Sequence, residues 1–167
     1  MEGHWFASLH STYTPVLPIF AGPEWTPKGP YPSANENEVI DRGKKARIIV
    51  IDDEGIIADT VVEILKQEGY EAIAVATGDS AVELARTWTP NIVLSDVIMP
   101  GLNGIEAGIR IREIVPQCKI ILFSGQAATV DLLQQAREDG HRFDILAKPI
   151  KPEQLIAVIR AAAGYLT

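Results

Sequence analysis

From Arg47 onward the chain switches five times between a short β-branched run and a longer segment with helical periodicity. RIIVID opens the series. The segment DEGIIADTVVEILKQEGY follows, with apolar residues at Ile57, Val61, Ile64 and Leu65 and a stop at Gly69. EAIAVA alternates like a strand, and TGDSAVELARTW reads as a short helix capped by Asp79 or Ser80. NIVLSD reads as a buried strand, VIMPGLNG as a loop and IEAGIRIREIV as a helix. KIILFSG, a helix closed by Gly140, then FDILAK and a last helix entered at Pro152 complete the pattern. The first, third and fourth strands are almost wholly apolar, as expected where helices cover both faces of a sheet. The expected fold class is therefore α/β, a (βα)5 doubly wound parallel sheet. Such sheets place their sites at the carboxyl ends of the strands. Gly108, in the middle of the third helix, costs roughly 1 kcal/mol against alanine and has no explanation in the local sequence.

Residues 1–45 differ in texture. They contain Pro15, Pro18, Pro23, Pro27, Pro30 and Pro32 together with Trp5 and Trp25, and no periodic pattern persists. They read as a Pro-rich extension and linker, extended or disordered. Two roles suit such a segment: an untidy leader, or a strip whose aromatics dock on a partner from a stiff, polyproline-like backbone. The expected folded domain is 46–167. Fifteen basic and 22 acidic residues give a formal charge of −7, which argues against a surface built to grip nucleic acid or an anionic membrane. The lone Cys118 excludes an internal disulfide framework and a Cys-based zinc site. The apolar runs are strand-sized, so membrane insertion is not expected. The N-terminus is a poor signal peptide, and the default compartment is the reducing cytoplasm.

The strand ends carry the chemistry. The first strand ends in Asp52 and Asp53, the third in Asp96, the fourth in Ser124 and the fifth in Lys148. Carboxylates brought to one rim repel each other unless a cation joins them. An all-oxygen donor set with room for water suits Mg2+, and without a nearby histidine or cysteine zinc is disfavoured. An ammonium and a hydroxyl on the opposite side make a cradle for a phosphoryl group. Asp96, alone on a central strand, is the natural carboxylate nucleophile for an acyl phosphate. Asp52 and Asp53 are better placed to hold metal.

These residues lie in VIDDE (50–54), LSDVIMPGLNGIE (94–106), ILFSG (121–125) and LAKPI (146–150). In this order and spacing the chain resembles the receiver domain of two-component response regulators, over roughly residues 46–166. The resemblance implies a flavodoxin-like sheet with strand order 2-1-3-4-5 and a cis bond between Lys148 and Pro149. It implies Asp96 as phosphoacceptor, Ser124 as switch hydroxyl and Lys148 as the lysine that pairs with phosphate. It also implies Mg2+ held by Asp52, Asp53, Asp96 and the backbone carbonyl of Ile98. The phosphodonor would be a histidine kinase, a phosphotransfer protein or a small acyl phosphate. No segment follows the fifth helix, so the expected mode is a stand-alone module without an output domain, not an enzyme in the ordinary sense. It would signal to a downstream protein effector by docking. The expected surface for an effector or a homodimer is the fourth helix, fifth strand and fifth helix, through Leu132, Arg137, Arg142, Ile145, Ala157 and Ala161.

One position departs from the family pattern. The aromatic usually found three residues before the lysine is Ile145 here, with Phe143 two residues earlier. Isoleucine cannot make the same rotamer switch, so coupling is expected to run through movement of the fourth helix, from Gln126 to Gly140. Three other readings compete with this one. A Mg2+-dependent aspartyl-phosphate phosphohydrolase would place its nucleophile on the first strand, with a second acid two residues on. A flavin or nucleotide binder needs an anion loop where DDEG offers negative charge. A pseudo-receiver would keep the fold and only bind. Glu54 is expected to face solvent or to help through a water rather than to bind metal directly, His4, His10 and His141 to be surface residues, Cys118 to be inert and Trp88 to pack at the end of the second helix.

Overall fold

The computed structural model describes residues 46–125 and 128–164; the Pro-rich extension with His4 and His10, and the start of the fourth helical segment at Gln126, lie outside the described residues. Five strands alternate with five helices: β1 (Arg47–Ile51), α1 (Gly55–Gln67), β2 (Glu71–Val75), α2 (Gly78–Trp88), β3 (Ile92–Asp96), α3 (Gly104–Ile114), β4 (Lys119–Ser124), α4 (Ala128–Glu138), β5 (Asp144–Ala147) and α5 (Pro152–Gly164). All pairings are parallel, in the order β2-β1-β3-β4-β5. This is the flavodoxin-like order that the family resemblance implies.

Strand alternation divides the core in two. Ile48, Val50, Ile92, Leu94, Ile121 and Phe123 point to the α1/α5 side. Ile49, Ile51, Val93, Ile120 and Leu122 point to the α2/α3/α4 side. Both sets are fully buried, which explains why three strands read as continuous apolar runs. Each buried aliphatic side chain of this size contributes about 1.5–3 kcal/mol of transfer free energy. The edge strands β2 and β5 show broken burial patterns.

Several local expectations need correction. In α1 the buried face is Ala58, Val61, Val62 and Leu65; Ile57 is exposed and Ile64 only half-buried. Ile56, in the same first turn, is 86% exposed. The N-cap of α2 is Thr77, not Asp79 or Ser80: its hydroxyl accepts from the Ser80 N–H at 3.2 Å. Asn103, unremarked in the sequence, forms a capping box with Glu106 at the start of α3. Other expectations match. Gly69 and Gly140 follow α1 and α4 with φ of +92° and +89°. Trp88 packs at the end of α2 with the Arg47 guanidinium 5.6 Å from its ring centre. Cys118 is buried, and burial pushes its thiol pKa up to about 12.

Two helix starts grip the β3–α3 loop. A Cβ on Gly104 would lie 1.9 Å from the Asp96 carbonyl oxygen, and one on Gly78 would lie 2.6 Å from that of Leu102. Glycine at these two places lets α3 and α2 close on the loop that follows Asp96. Phe143 packs into the α2/α3/α4 side of the core, under the Arg112 guanidinium at 4.8 Å. Arg112 also donates to the Arg142 carbonyl at 2.7 Å. The aromatic nearest the Ile145 position is therefore fixed between α3 and the sheet. No described helix is long and apolar enough to cross a membrane.

Candidate functional site

The doubly wound order brings the carboxyl ends of β1, β3, β4 and β5 side by side. Asp52 follows β1, its side chain 1% exposed. Its Oδ1 accepts the Glu54 N–H at 2.9 Å, a local turn that aims the second oxygen into the rim. Asp53 and Glu54 are exposed, and Glu54 caps α1 by position without a side-chain hydrogen bond. Asp96, the last residue of the central strand, accepts the Ile98 N–H at Oδ1 at 3.3 Å. One carboxylate oxygen from each of Asp52, Asp53 and Asp96 lies within 4.8 Å of the others.

Lys148 reaches this cluster from the far side. It follows β5, two strands from β3, a span of about 10 Å at ordinary strand spacing. Its side chain crosses the end of β4 over Gly125, where a Cβ would meet Lys148 Cβ at 3.2 Å and Cδ at 3.6 Å. Gly125 thus leaves the passage open. The ammonium donates to Asp96 Oδ2 at 2.7 Å and lies 3.5 Å from Asp52 Oδ2. Burial alone would lower the Lys148 pKa. The hydrogen bond and charge of Asp96, followed by the charge of Asp52, outweigh burial and hold it above the ordinary 10.5. The Lys148–Pro149 bond is cis, and the Lys148 N–H donates to the Ser124 carbonyl at 2.8 Å. That bond extends the β4–β5 ladder and sets Ser124 beside the lysine. The Ser124 hydroxyl is hydrogen-bonded with the hydroxyl of Thr129, a buried residue in the first turn of α4.

Asp52, Asp53, Asp96 and Lys148 therefore share one rim, with Ser124 at its β4 side. Ile98 lies on the same loop, 43% exposed. Three ionised carboxylates and one ammonium leave a formal charge of −2. The donor set is all oxygen, and ligand atoms around one Mg2+ lie up to about 4.2 Å apart, near the 4.8 Å within which the three carboxylate oxygens fall. Two contributors escaped the sequence reading. Gly125 was visible only as a motif letter, and Thr129 carried no signal, because its partner lies across a chain turn.

Residues 48–160 match the response regulator receiver domain. The chain belongs to the response regulator receiver domain family. Receiver domains are signalling domains of two-component systems, and acidic-pocket Mg2+ binding is typical of them. This receiver domain is 36% identical over 121 residues to the transcriptional regulatory protein PdtaR of Mycobacterium tuberculosis, covering 71% of this chain and 57% of PdtaR. It is 30% identical over 117 residues to the DNA-binding response regulator MtrA of the same organism, covering 70% of this chain and 50% of MtrA. The chain thus spans about half the length of the curated relatives it matches. Among solved structures it is similar to a CheY-like response regulator receiver domain protein from Methanospirillum hungatei JF-1. That match has a TM-score of 0.66 and 25% identity, and covers 74% of this chain and 98% of the other.

Proposed function

We propose that this receiver domain takes up a phosphoryl group on Asp96 and passes the signal on by docking to a partner protein. The observation that carries this reading is the Lys148 ammonium on Asp96 Oδ2, beside the carboxylates of Asp52 and Asp53. A carboxylate that is to attack phosphorus must be held in place, and the cation that holds it must also suit the incoming phosphoryl oxygens. Lys148 meets both needs. In the transfer, an Asp96 carboxylate oxygen forms the bond to phosphorus, and the bond from phosphorus to the donor's nitrogen or oxygen breaks. Lys148 pairs with one phosphoryl oxygen and the Ser124 hydroxyl donates to another.

Asp52, Asp53, Asp96 and the Ile98 carbonyl would hold Mg2+, which neutralises charge building on the transferred group. The donor would be a histidine kinase, a phosphotransfer protein or a small acyl phosphate, in the cytoplasm. The domain assists its own phosphorylation and dephosphorylation and turns over no separate substrate. Output would pass through the α4–β5–α5 face to a protein effector or a second copy. Leu132, Arg137, Arg142 and Ala161 are exposed on that face, and Ile145 and Ala157 are half-buried. Incubation with acetyl phosphate and Mg2+, followed by intact mass, tests the reading. One added phosphoryl group is expected, absent in Asp96→Asn and absent without Mg2+. An Asp96→Asn variant that gains the same mass overturns it.

A further inference from the structure

The acidic rim explains how a phosphoryl group would be received, but not what keeps Ser124 in its resting place or how α4 would sense a change there. The Ser124 main chain is tied to β5 by the Lys148 N–H. Its side chain is tied to α4, through the hydroxyl of Thr129. Thr129 is 2% exposed, in the first turn of its helix. The bond therefore bridges the end of β4 and the start of α4. Phe143 offers no competing route, because Arg112 covers its ring and Ile120 and Gly108 close in around it. Ile145 has no ring to swing.

We infer that Thr129 is a positioning residue that holds the Ser124 hydroxyl in its resting orientation, and that loss of this bond on phosphorylation is what moves the first turn of α4. The inference rests on the proposed role of Ser124 as a donor to the phosphoryl group. Ser124 has one hydroxyl and one hydrogen. Turning it toward Asp96 draws it away from Thr129, whichever of the two donates at rest. The resting population is then favoured by one side-chain hydrogen bond, and removing that bond enlarges the receptive population by about 3- to 10-fold.

The test uses the full chain with acetyl phosphate and Mg2+. Thr129→Val keeps shape and removes the hydroxyl; its phosphorylation rate constant is expected to rise about 3- to 10-fold. Its Mg2+ affinity should match wild type. Thr129→Ser should restore the wild-type rate. In a Ser124→Ala background, the rate increase caused by Thr129→Val should shrink. Amide shifts of residues 129–132 on phosphorylation should shrink in Thr129→Val, a response that simple destabilisation would not produce. Thr129→Ala gives a second removal of the hydroxyl should valine disturb folding. A Thr129→Val rate equal to wild type overturns the inference, as does an equal effect of Thr129→Val with and without Ser124. If the wild-type chain takes up no phosphoryl group at all, the proposed function falls, and this inference with it.

Discussion

Gly108 of α3 stands against Ile120 of β4 so closely that a Cβ would lie 2.9 Å from Ile120 Cγ2, and it would also lie 3.2 Å from Phe143 Cε1. A mid-helix glycine costs about 1 kcal/mol in propensity, and this contact is what that cost permits. Gly108→Ala gains helix propensity but overpacks a fully buried, β-branched neighbour. The variant is expected to lose about 1–2 kcal/mol of stability in urea unfolding, with an unchanged m-value. Phe143→Leu, by vacating ring volume, should recover part of that loss. A Gly108→Ala protein more stable than wild type would show that the neighbours yield.

Lys148→Met removes the one cation that, among the described residues, is placed on Asp96 and Asp52. The acid cluster is then more negative. Its affinity for Mg2+ should rise about 3- to 10-fold at low salt, read by titration calorimetry, with the gain shrinking as salt is added. In wild type without metal, the raised Lys148 pKa contributes stability that is fully present below 10.5 and is lost as pH rises through the higher folded value. Lys148→Met should lack that alkaline limb. Metal binding that weakens in this variant would mean Lys148 organises the carboxylates rather than competing with the ion.

Asp53→Asn relieves repulsion within the three-carboxylate cluster. Without divalent ions this variant should melt about 2–6 °C above wild type. Wild type should gain thermal stability on addition of Mg2+, because ligand binds only the folded form, and the variant should gain little. Equal shifts in both proteins would remove Asp53 from the proposed set of metal ligands.

Cys118 is buried beside Lys119, and its thiol pKa is raised from 9.0 to about 12, mainly by burial and against the charge of Arg112. A thiol reagent at pH 8 should leave the native protein untouched and label it fully in denaturant. The sign of the pH effect follows from the unfolded thiol ionising first. The contribution is full below 9.0 and declines as pH rises from there toward about 12. Cys118→Ala should flatten that part of the stability profile, measured by melts across the range.

Much of this architecture was legible from local pattern. Strand runs, glycine stops and the strand-end residues each report on a few neighbouring positions, and the right-handed crossover rule turns such a series into one sheet. Misreadings arose where local signals compete. Thr77, Asp79 and Ser80 are all good caps, and only the hydrogen bond to the Ser80 N–H decides among them. In α1 the apolar residues outnumber the places in the core, so Ile57 lies outside it. What stayed hidden was long-range. Gly108 meets Phe143 across 35 positions of chain, the Lys148 stem depends on Gly125, and Thr129 finds Ser124 only once α4 is docked. None of these pairings leaves a periodic trace.

The close approach of Gly78 and Gly104 to the main chain has a mechanical consequence. The main chain is stopped at both ends of this stretch, by α3 at Asp96 and by α2 at Leu102. Between the two stops lie the exposed Pro100 and Gly101. A methyl group added at either glycine would strike a main-chain carbonyl oxygen, so positions 78 and 104, far apart in sequence, anchor the two ends of one short span.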